Sequence, residues 1–272
     1  MKFLQYLLLA LLSLPISADF LDDAIAGDHR SAENKSRDQY RHPKEVLAFF
    51  GLEENMQVVE IWPGGGWYTQ ILAPALKESG KLIAAQYDPN PPVAYMRRGF
   101  GAFLTMLGET PDVYSDVEVS TFFYPYKLKL APSDSLDMVV TFRNAHNWVG
   151  NAYPNQSFSR LAFSSIFDAL KSGGVLGVTD HRWLDPGTED PKAANGYISK
   201  ERVVALAQGA GFVLEAESDV LANSLDTRDY PSGVWTLPPT LAMGDKDKEK
   251  YLAIGESDRF ALRFRKPAAK AD

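Results

Sequence analysis

The residues best suited to chemistry lie at four points along the 272-residue chain. The first is the run Val58-Val59-Glu60-Ile61-Trp62-Pro63-Gly64-Gly65-Gly66-Trp67-Tyr68, where an apolar stretch ends in an acid and three glycines open a helix. Glycine lets backbone approach a ligand closely, and a helix start offers free N–H groups. The acid can accept hydrogen bonds from the same ligand. Open α/β sheets build nucleoside sites in this way at the carboxyl ends of their strands. The second point is Asp88, 22 positions beyond Gly66, where an acid commonly holds two ribose hydroxyls. Each acid also has a local reading: Glu60 as a strand-end group bonding to loop amides, and Asp88 as the start of a turn before Pro89.

The third point is Arg143-Asn144-Ala145-His146-Asn147-Trp148. An imidazole titrates near neutrality, so His146 can act as a general base, and Asn144 can orient an amine or hydroxyl. Both side chains could equally cap the end of a strand. The fourth is Asp180-His181-Arg182-Trp183. His146 and His181, two of only four histidines, end adjacent central strands and can reach one ligand in the crevice. His146, Asp180 and His181 could share a metal in principle. A ligand spacing such as His-x-x-x-His is missing, so no metal is expected.

The elements that must position these residues alternate. Strands are expected at 58–61, 81–87, 117–122, 136–142 and 175–179, followed by 212–217 and 259–265. Pro43 suits the first turn of a helix ending at Gly51. Further helices are expected from the glycine turn to about Lys77, at 93–107, at 157–171 before Gly173-Gly174, and at 201–208. In 157–171 the residues Phe158, Leu161, Ala162, Ser165, Ile166, Ala169 and Leu170 fall at helical spacing. This order predicts an α/β fold, a doubly wound, mostly parallel sheet of seven strands with helices on both faces. Before it, residues 19–50 read as an N-terminal helical lid or brace, with Phe20 to Ile25 amphipathic. Arg37, Arg41 and His42 could fold over a bound ligand. Arg37 and Arg41, a helical turn apart, could also form a solvated face. The α/β domain spans 51–272. Residues 218–258 are far longer than an ordinary connection and are expected to carry function or a subdomain. Within them, 246–251 reads as helical and Asp226 to Pro231 as ordered by its own hydrogen bonds.

Composition narrows the class. Hydrophobic residues make up 45% and charged residues 23%, as in globular proteins. The net charge of −7 argues against broad nucleic-acid binding, and no nucleic-acid partner is expected. Lys2, the apolar run from Phe3 to Leu14 and the small residues before Asp19 read as a signal peptide over 1–18, with cleavage after Ala18. That run is too short to span a bilayer, and no stable membrane insertion is expected after cleavage. The expected location is therefore periplasmic or secreted. With no cysteine, the chain forms no disulfide or thiolate metal site.

Gly64 and Gly66 match part of a dinucleotide fingerprint, but Thr69 stands where its last glycine belongs. The turn is instead similar to motif I of the class I S-adenosylmethionine-dependent methyltransferases, an acid-x-Gly-x-Gly-x-Gly pattern in which Glu60, Gly64 and Gly66 fill the acid and the last two glycines. The chain resembles, over about residues 38–266, a bacterial family of exported methyltransferase-like proteins, including Tyr40-Arg41-His42-Pro43 and Pro63-Gly64-Gly65-Gly66-Trp67-Tyr68-Thr69. The resemblance implies a last strand inserted antiparallel, S-adenosylmethionine held by Glu60, Gly64, Gly65, Gly66 and Asp88, and Asn144, His146 and His181 facing a small-molecule or protein acceptor. Trp62 departs from it by occupying the first glycine position, where its bulk would crowd the methionine end or redirect the loop. Phe122 stands where a third-strand acid often reads adenine, and serves as a stacking surface or as core. Tyr68 is expected to pack under the adjacent helix. The other reading is a catalytically inactive methyltransferase-fold protein that captures an exported ligand or partner. It is motivated by Trp62 and by the cytosolic origin of the cofactor. No oligomeric state follows from the sequence.

Overall fold

A computed structural model describes residues 19–91, 93–124, 127–150 and 158–268. The expected signal peptide, residues 1–18, falls outside them, as do Pro92 and Ser157. Eight strands form one sheet: β1 (Gln57–Ile61), β2 (Lys81–Gln86), β3 (Glu118–Thr121), β4 (Leu136–Phe142), β5 (Leu170–Trp183), the two-residue β6 (Ile198–Ser199), β7 (Val213–Ser218) and β8 (Arg259–Arg265). The order is β3-β2-β1-β4-β5-β8-β7, with β6 paired to the end of β5. Strands β1 to β5 are parallel, and β8 runs antiparallel to both neighbours. The expected doubly wound α/β architecture is present, with β6 as an addition to the seven strands anticipated.

Side-chain alternation shows why both faces are covered. Val58 packs with Leu82, Met138 and Val140 on one face, while Val59 packs with Ile83, Val139 and Leu176 on the other. Successive residues of a strand point to opposite faces, so an unbroken apolar strand needs a layer on each side. The chain leaves β1 towards β2 and β3, then returns on the other flank as β4 and β5. The crevice above β1 and β4 is thus the switch point where open α/β sheets hold ligands.

Two local differences from expectation, and one expectation that holds, matter for the site. Strand β5 runs from Leu170 through Trp183, well beyond 175–179. Gly173-Gly174 does not separate helix from strand: the helix Ser159–Ala169 ends earlier, and both glycines already exchange backbone hydrogen bonds with Lys266. At the other end, β8 pairs with Asp180 and His181, and β6 pairs with Arg182 and Trp183. The stretch after β4 forms a short helix, Ala145–Gly150, entered through Arg143 in the left-handed region at φ 62°. Finally, the long connection to β8 holds a 3₁₀ turn, Gly233–Thr236, and a helix, Lys248–Ile254. Its Asp226 accepts hydrogen bonds from Tyr197 Oη and from the backbone of Arg228 and Asp258. Thr227 also donates its N–H to Tyr230 Oη, so the Asp226–Pro231 stretch is tied by its own groups.

Residues 19–50 form a series of short helices. Asp19–Ala26 buries Leu21 and Ala24 against Thr69–Leu76, the helix that follows the glycine turn. Pro43–Phe50 lies across β5 and β8. Among the described residues no helix is long and apolar enough to cross a membrane.

Gly177 on β5 lets Pro43–Phe50 sit close, because a Cβ there would come within 2.5 Å of the Phe50 ring. Phe50 is fully buried, so the ring has nowhere to retreat. Gly177→Ala is expected to lower stability by about 1–3 kcal/mol through overpacking, read as a shift in the urea midpoint. An unchanged midpoint would show that the helix can move freely over the sheet.

Candidate active site

A cavity of about 630 Å³ opens above the carboxyl ends of β1, β4 and β5. Its walls come from the turn after β1, the start of the helix after β4, the N-terminal helices and residues 234–240 of the long connection. Of the residues singled out by sequence, Glu60, Gly64, Gly65, Asn144, His146 and His181 line it, whereas Gly66 and Asp88 do not.

Glu60 is almost wholly buried, and its Oε2 accepts from Thr69 Oγ1 at 2.5 Å. Burial pushes its carboxyl up to about 8, against the opposing pull of the Thr69 hydrogen bond. Beyond it the glycines divide their work. Gly64 takes φ 61° and Gly65 lies beside it, and a Cβ on either would meet nothing within 4 Å. Gly66 serves packing instead: a Cβ there would fall 2.7 Å from Met106 Cε.

Trp62 adopts φ 51° in the left-handed region, an uncommon backbone for a residue with a large side chain. Its N–H bonds to Ala85 O at 2.9 Å and its indole N–H to Phe122 O at 2.7 Å. The ring stacks on Phe158 at 5.9 Å and contacts Tyr87, Phe123 and Trp148. The loop therefore turns this bulk towards the ends of β2 and β3, where Trp62 still forms part of the cavity wall, and a Cβ-sized space stays open over Gly64 and Gly65. Phe122 is fully buried, in the core. Asp88 is only partly buried and accepts the Asn90 N–H at 2.9 Å, as an acid opening a turn does. The cavity wall on the β2 side is Tyr87 and Tyr95.

At the ends of β4 and β5, Asp180 organises both histidines. It accepts the His146 N–H at 2.9 Å, the His181 N–H at 2.8 Å, and His146 Nδ1 at 2.7 Å. A carboxylate accepts, so the proton sits on Nδ1 and the lone pair of His146 is on Nε2. The His146 and His181 rings are 5.4 Å apart, and Trp235 closes over His146. Burial, followed by His146 and nearby arginines, pulls the His181 pKa well below its ordinary value, so His181 is neutral. Potential metal-ligand atoms of His146, Asp180 and His181 lie within 4.8 Å of one another. The three bonds already made by Asp180 are those of an acid orienting an imidazole. Asn144 spends its NH₂ on Ile61 O, Trp62 O and Thr141 Oγ1, so its amide clamps the ends of β1 and β4 together.

The N-terminal arginines face inward. Glu256 accepts from Arg37 Nε at 2.7 Å, from Arg41 Nε at 3.0 Å, and from Arg259. Burial alone would raise the Glu256 carboxyl, but Arg259, Arg41, Arg143 and Arg37 outweigh it and hold it well below the usual carboxylate range. Arg41 lies over the Trp67 ring at 4.5 Å, and Trp67 Nε1 donates to Asn34 O. Tyr68 stacks on Phe142, as its packing role anticipated. His42 is the left-handed joint between two helices and does not line the cavity. Sequence reasoning missed Glu256, Arg259 and Trp235. The one signal pointing to them was the unusual length of 218–258.

No family model matches the chain, and no curated protein matches it. Solved structures do. An S-adenosylmethionine-dependent methyltransferase from Aquifex aeolicus is 17% identical with a TM-score of 0.55, over 85% of this chain and 93% of its own. The [4+2]-cyclase SpnF is 18% identical with a TM-score of 0.57, over 90% and 86%. A putative sarcosine dimethylglycine methyltransferase from Galdieria sulphuraria is 14% identical with a TM-score of 0.55, over 87% and 88%. The chain has the Rossmann-like fold of the class I S-adenosylmethionine-dependent methyltransferases. At these identities the likeness is one of fold, and chemistry has to be argued from the site.

The raised Glu60 carboxyl has a stability consequence. The folded state keeps a proton up to about pH 8 that the unfolded chain releases near 4.5. Stability from this group is therefore full below the unfolded value and lost as pH rises towards 8, by roughly 1.4 kcal/mol per pH unit. Relative to wild type, Glu60→Gln is expected to flatten the decline of the urea midpoint between pH 5 and 8. Parallel pH profiles for the two proteins would refute the buried, protonated carboxyl.

Proposed function

We propose that this protein is an S-adenosylmethionine-dependent methyltransferase acting on a small-molecule acceptor, exported by way of its N-terminal 18 residues. The observation that carries the reading is an acid, an open glycine backbone and an Asp-oriented histidine lining one cavity at the switch point of a methyltransferase fold. The residues present fit the cofactor: Gly64 and Gly65 leave backbone open to the cavity, and Glu60 lies in the same wall. Glu60, Gly64 and Gly65 would hold it, with Tyr87 and Tyr95 rather than Asp88 on the side of β2. When bound, S-adenosylmethionine supplies an electrophilic methyl group on a sulfonium.

The chain's own part is positioning and proton handling. His146 Nε2 takes a proton from the acceptor's hydroxyl or amine. Asp180 holds the ring in the required tautomer and stabilises the imidazolium that results. His181, kept neutral, borders the same space without adding a charge, and Trp235 covers the dyad against water. Asn144 keeps the glycine turn and the β4 end in register, a positioning role.

Calorimetric titration of S-adenosylmethionine and S-adenosylhomocysteine into the purified protein tests the cofactor. Micromolar binding is expected. Absence of binding to a folded protein would sink the reading and favour the inactive, ligand-capturing scaffold. His146→Ala is expected to cut turnover by about 10²–10⁴-fold while leaving cofactor affinity unchanged. Loss of both together would mark His146 as structural.

A further inference from the structure

Four guanidinium groups, those of Arg37, Arg41, Arg143 and Arg259, surround one carboxylate, Glu256. Three of them, Arg37, Arg41 and Arg143, line the cavity. Glu256 is 2% exposed and so is Arg41, so water screens this cluster weakly. Burial and then Arg143 depress Arg41, while burial depresses Arg143 against the raising pull of Glu256, with Arg259 and Arg37 adding to the fall.

Among the described residues no other acid balances the excess. Asp38 is paired with Arg30, and Asp258 with Arg228 and Arg182. Asp180 is engaged by His146, and Glu60 keeps its proton at neutral pH. Hydrogen bonding is unfinished as well. The Nη2 atoms of Arg37 and Arg41 are buried without a partner. Among the described residues, the Arg143 side chain makes no hydrogen bond or ion pair. Buried N–H donors are nearly always satisfied, and both unpartnered atoms belong to residues that line the cavity. Guanidinium forks match carboxylate and phosphate oxygens best.

We propose that the cavity recognises an acceptor bearing a carboxylate or phosphate, whose oxyanion is held by Arg37, Arg41 and Arg143. The assignment rests on the methyltransferase reading in placing the acceptor and not the cofactor at this end of the cavity. The anion completes the hydrogen bonding of Arg37 and Arg41 and offsets charge that Glu256 leaves over. It also anchors the acceptor in the cavity that His146 lines, so that charge recognition and proton removal act on one molecule.

The probes are inorganic phosphate and succinate, titrated calorimetrically into the full chain with and without S-adenosylhomocysteine. At least one ion is expected to bind the free protein and to bind equally well alongside S-adenosylhomocysteine. Arg143→Gln should weaken the ion roughly tenfold or more, the loss of one charge-assisted contact, with partial recovery in Arg143→Lys. S-adenosylhomocysteine affinity should stay unchanged in both. Should Arg143→Gln fail to fold by its thermal midpoint, Arg37→Gln, on the N-terminal helices, carries the same comparison. No binding of either ion, or ion binding indifferent to these substitutions, overturns the proposal. Mutual exclusion between the ion and S-adenosylhomocysteine also overturns it, because the arginines would then hold the cofactor's own carboxylate. If the ion binds and S-adenosylhomocysteine does not, the methyltransferase reading fails while the anion site stands.

Discussion

Three N–H donors converge on the buried carboxylate of Asp180, and the geometry of the cavity depends on that convergence. Strands β4 and β5 are paired as far as Phe142 and Thr179. Beyond that point Arg143 turns the chain out of the sheet, and backbone pairing cannot govern where His146 goes. Asp180 takes over by binding the backbone and the ring of His146 together, so one acid sets both the path of the short helix and the tautomer of the imidazole. A carboxylate with this many donors is well satisfied despite its burial, which makes it a rigid reference for everything around it. His181, its neighbour in sequence, is held by β8 on one side and by Ser257 on the other. Both histidines thereby acquire fixed orientations from hydrogen bonds within the protein.

The glycine turn meets a different constraint. A tryptophan in a position that the fold usually gives to glycine has two options: fill the cavity or leave it. The left-handed backbone at Trp62 directs the ring out towards β2 and β3, where Phe122 O satisfies the indole and Phe158 stacks on it. The cost of a positive φ, about 1–3 kcal/mol, is set against burial of a large aromatic and a well-formed hydrogen bond. This ring also occupies part of the β3 side of the crevice with protein. The usable space is consequently shifted towards β1, β4, β5 and the long connection. It also explains why Tyr87 and Tyr95, not Asp88, reach the cavity.

How much of this could be read from the sequence follows from the range of the interactions involved. The sheet was legible because each strand is a short apolar run between turn signals, a local pattern. That Glu60, Gly64, Gly65, Asn144, His146 and His181 share one cavity was legible because strand order alone places their segments at one edge. Asp88 shows the limit. Asp-Pro signals a turn and a strand-end acid signals a ribose ligand, and the same four letters support both; the structure shows the turn, with the Asn90 N–H on one oxygen of the carboxylate. The length of β5 was misjudged because a Gly-Gly pair reads as a stop, while the bonds that carry the strand through it come from Lys266, far along the chain. The arginine cluster was the least legible feature. Its members are scattered from residue 37 to 259, and no spacing rule connects them.

Glu256 joins groups separated by 219 and 215 positions in the chain, through Arg37 and Arg41. Synthesis delivers those arginines first and their carboxylate near the end. Until Glu256 arrives, the early helices carry guanidinium groups that cannot be buried without a counter-charge, which costs several kcal/mol per ion. The N-terminal wall of the cavity is therefore among the last parts able to settle, however early the sheet forms. The cavity becomes a record of completion: a chain that stops before Glu256 also lacks β8, and can present the parallel strands β1 to β5 and a glycine turn, but not a closed site.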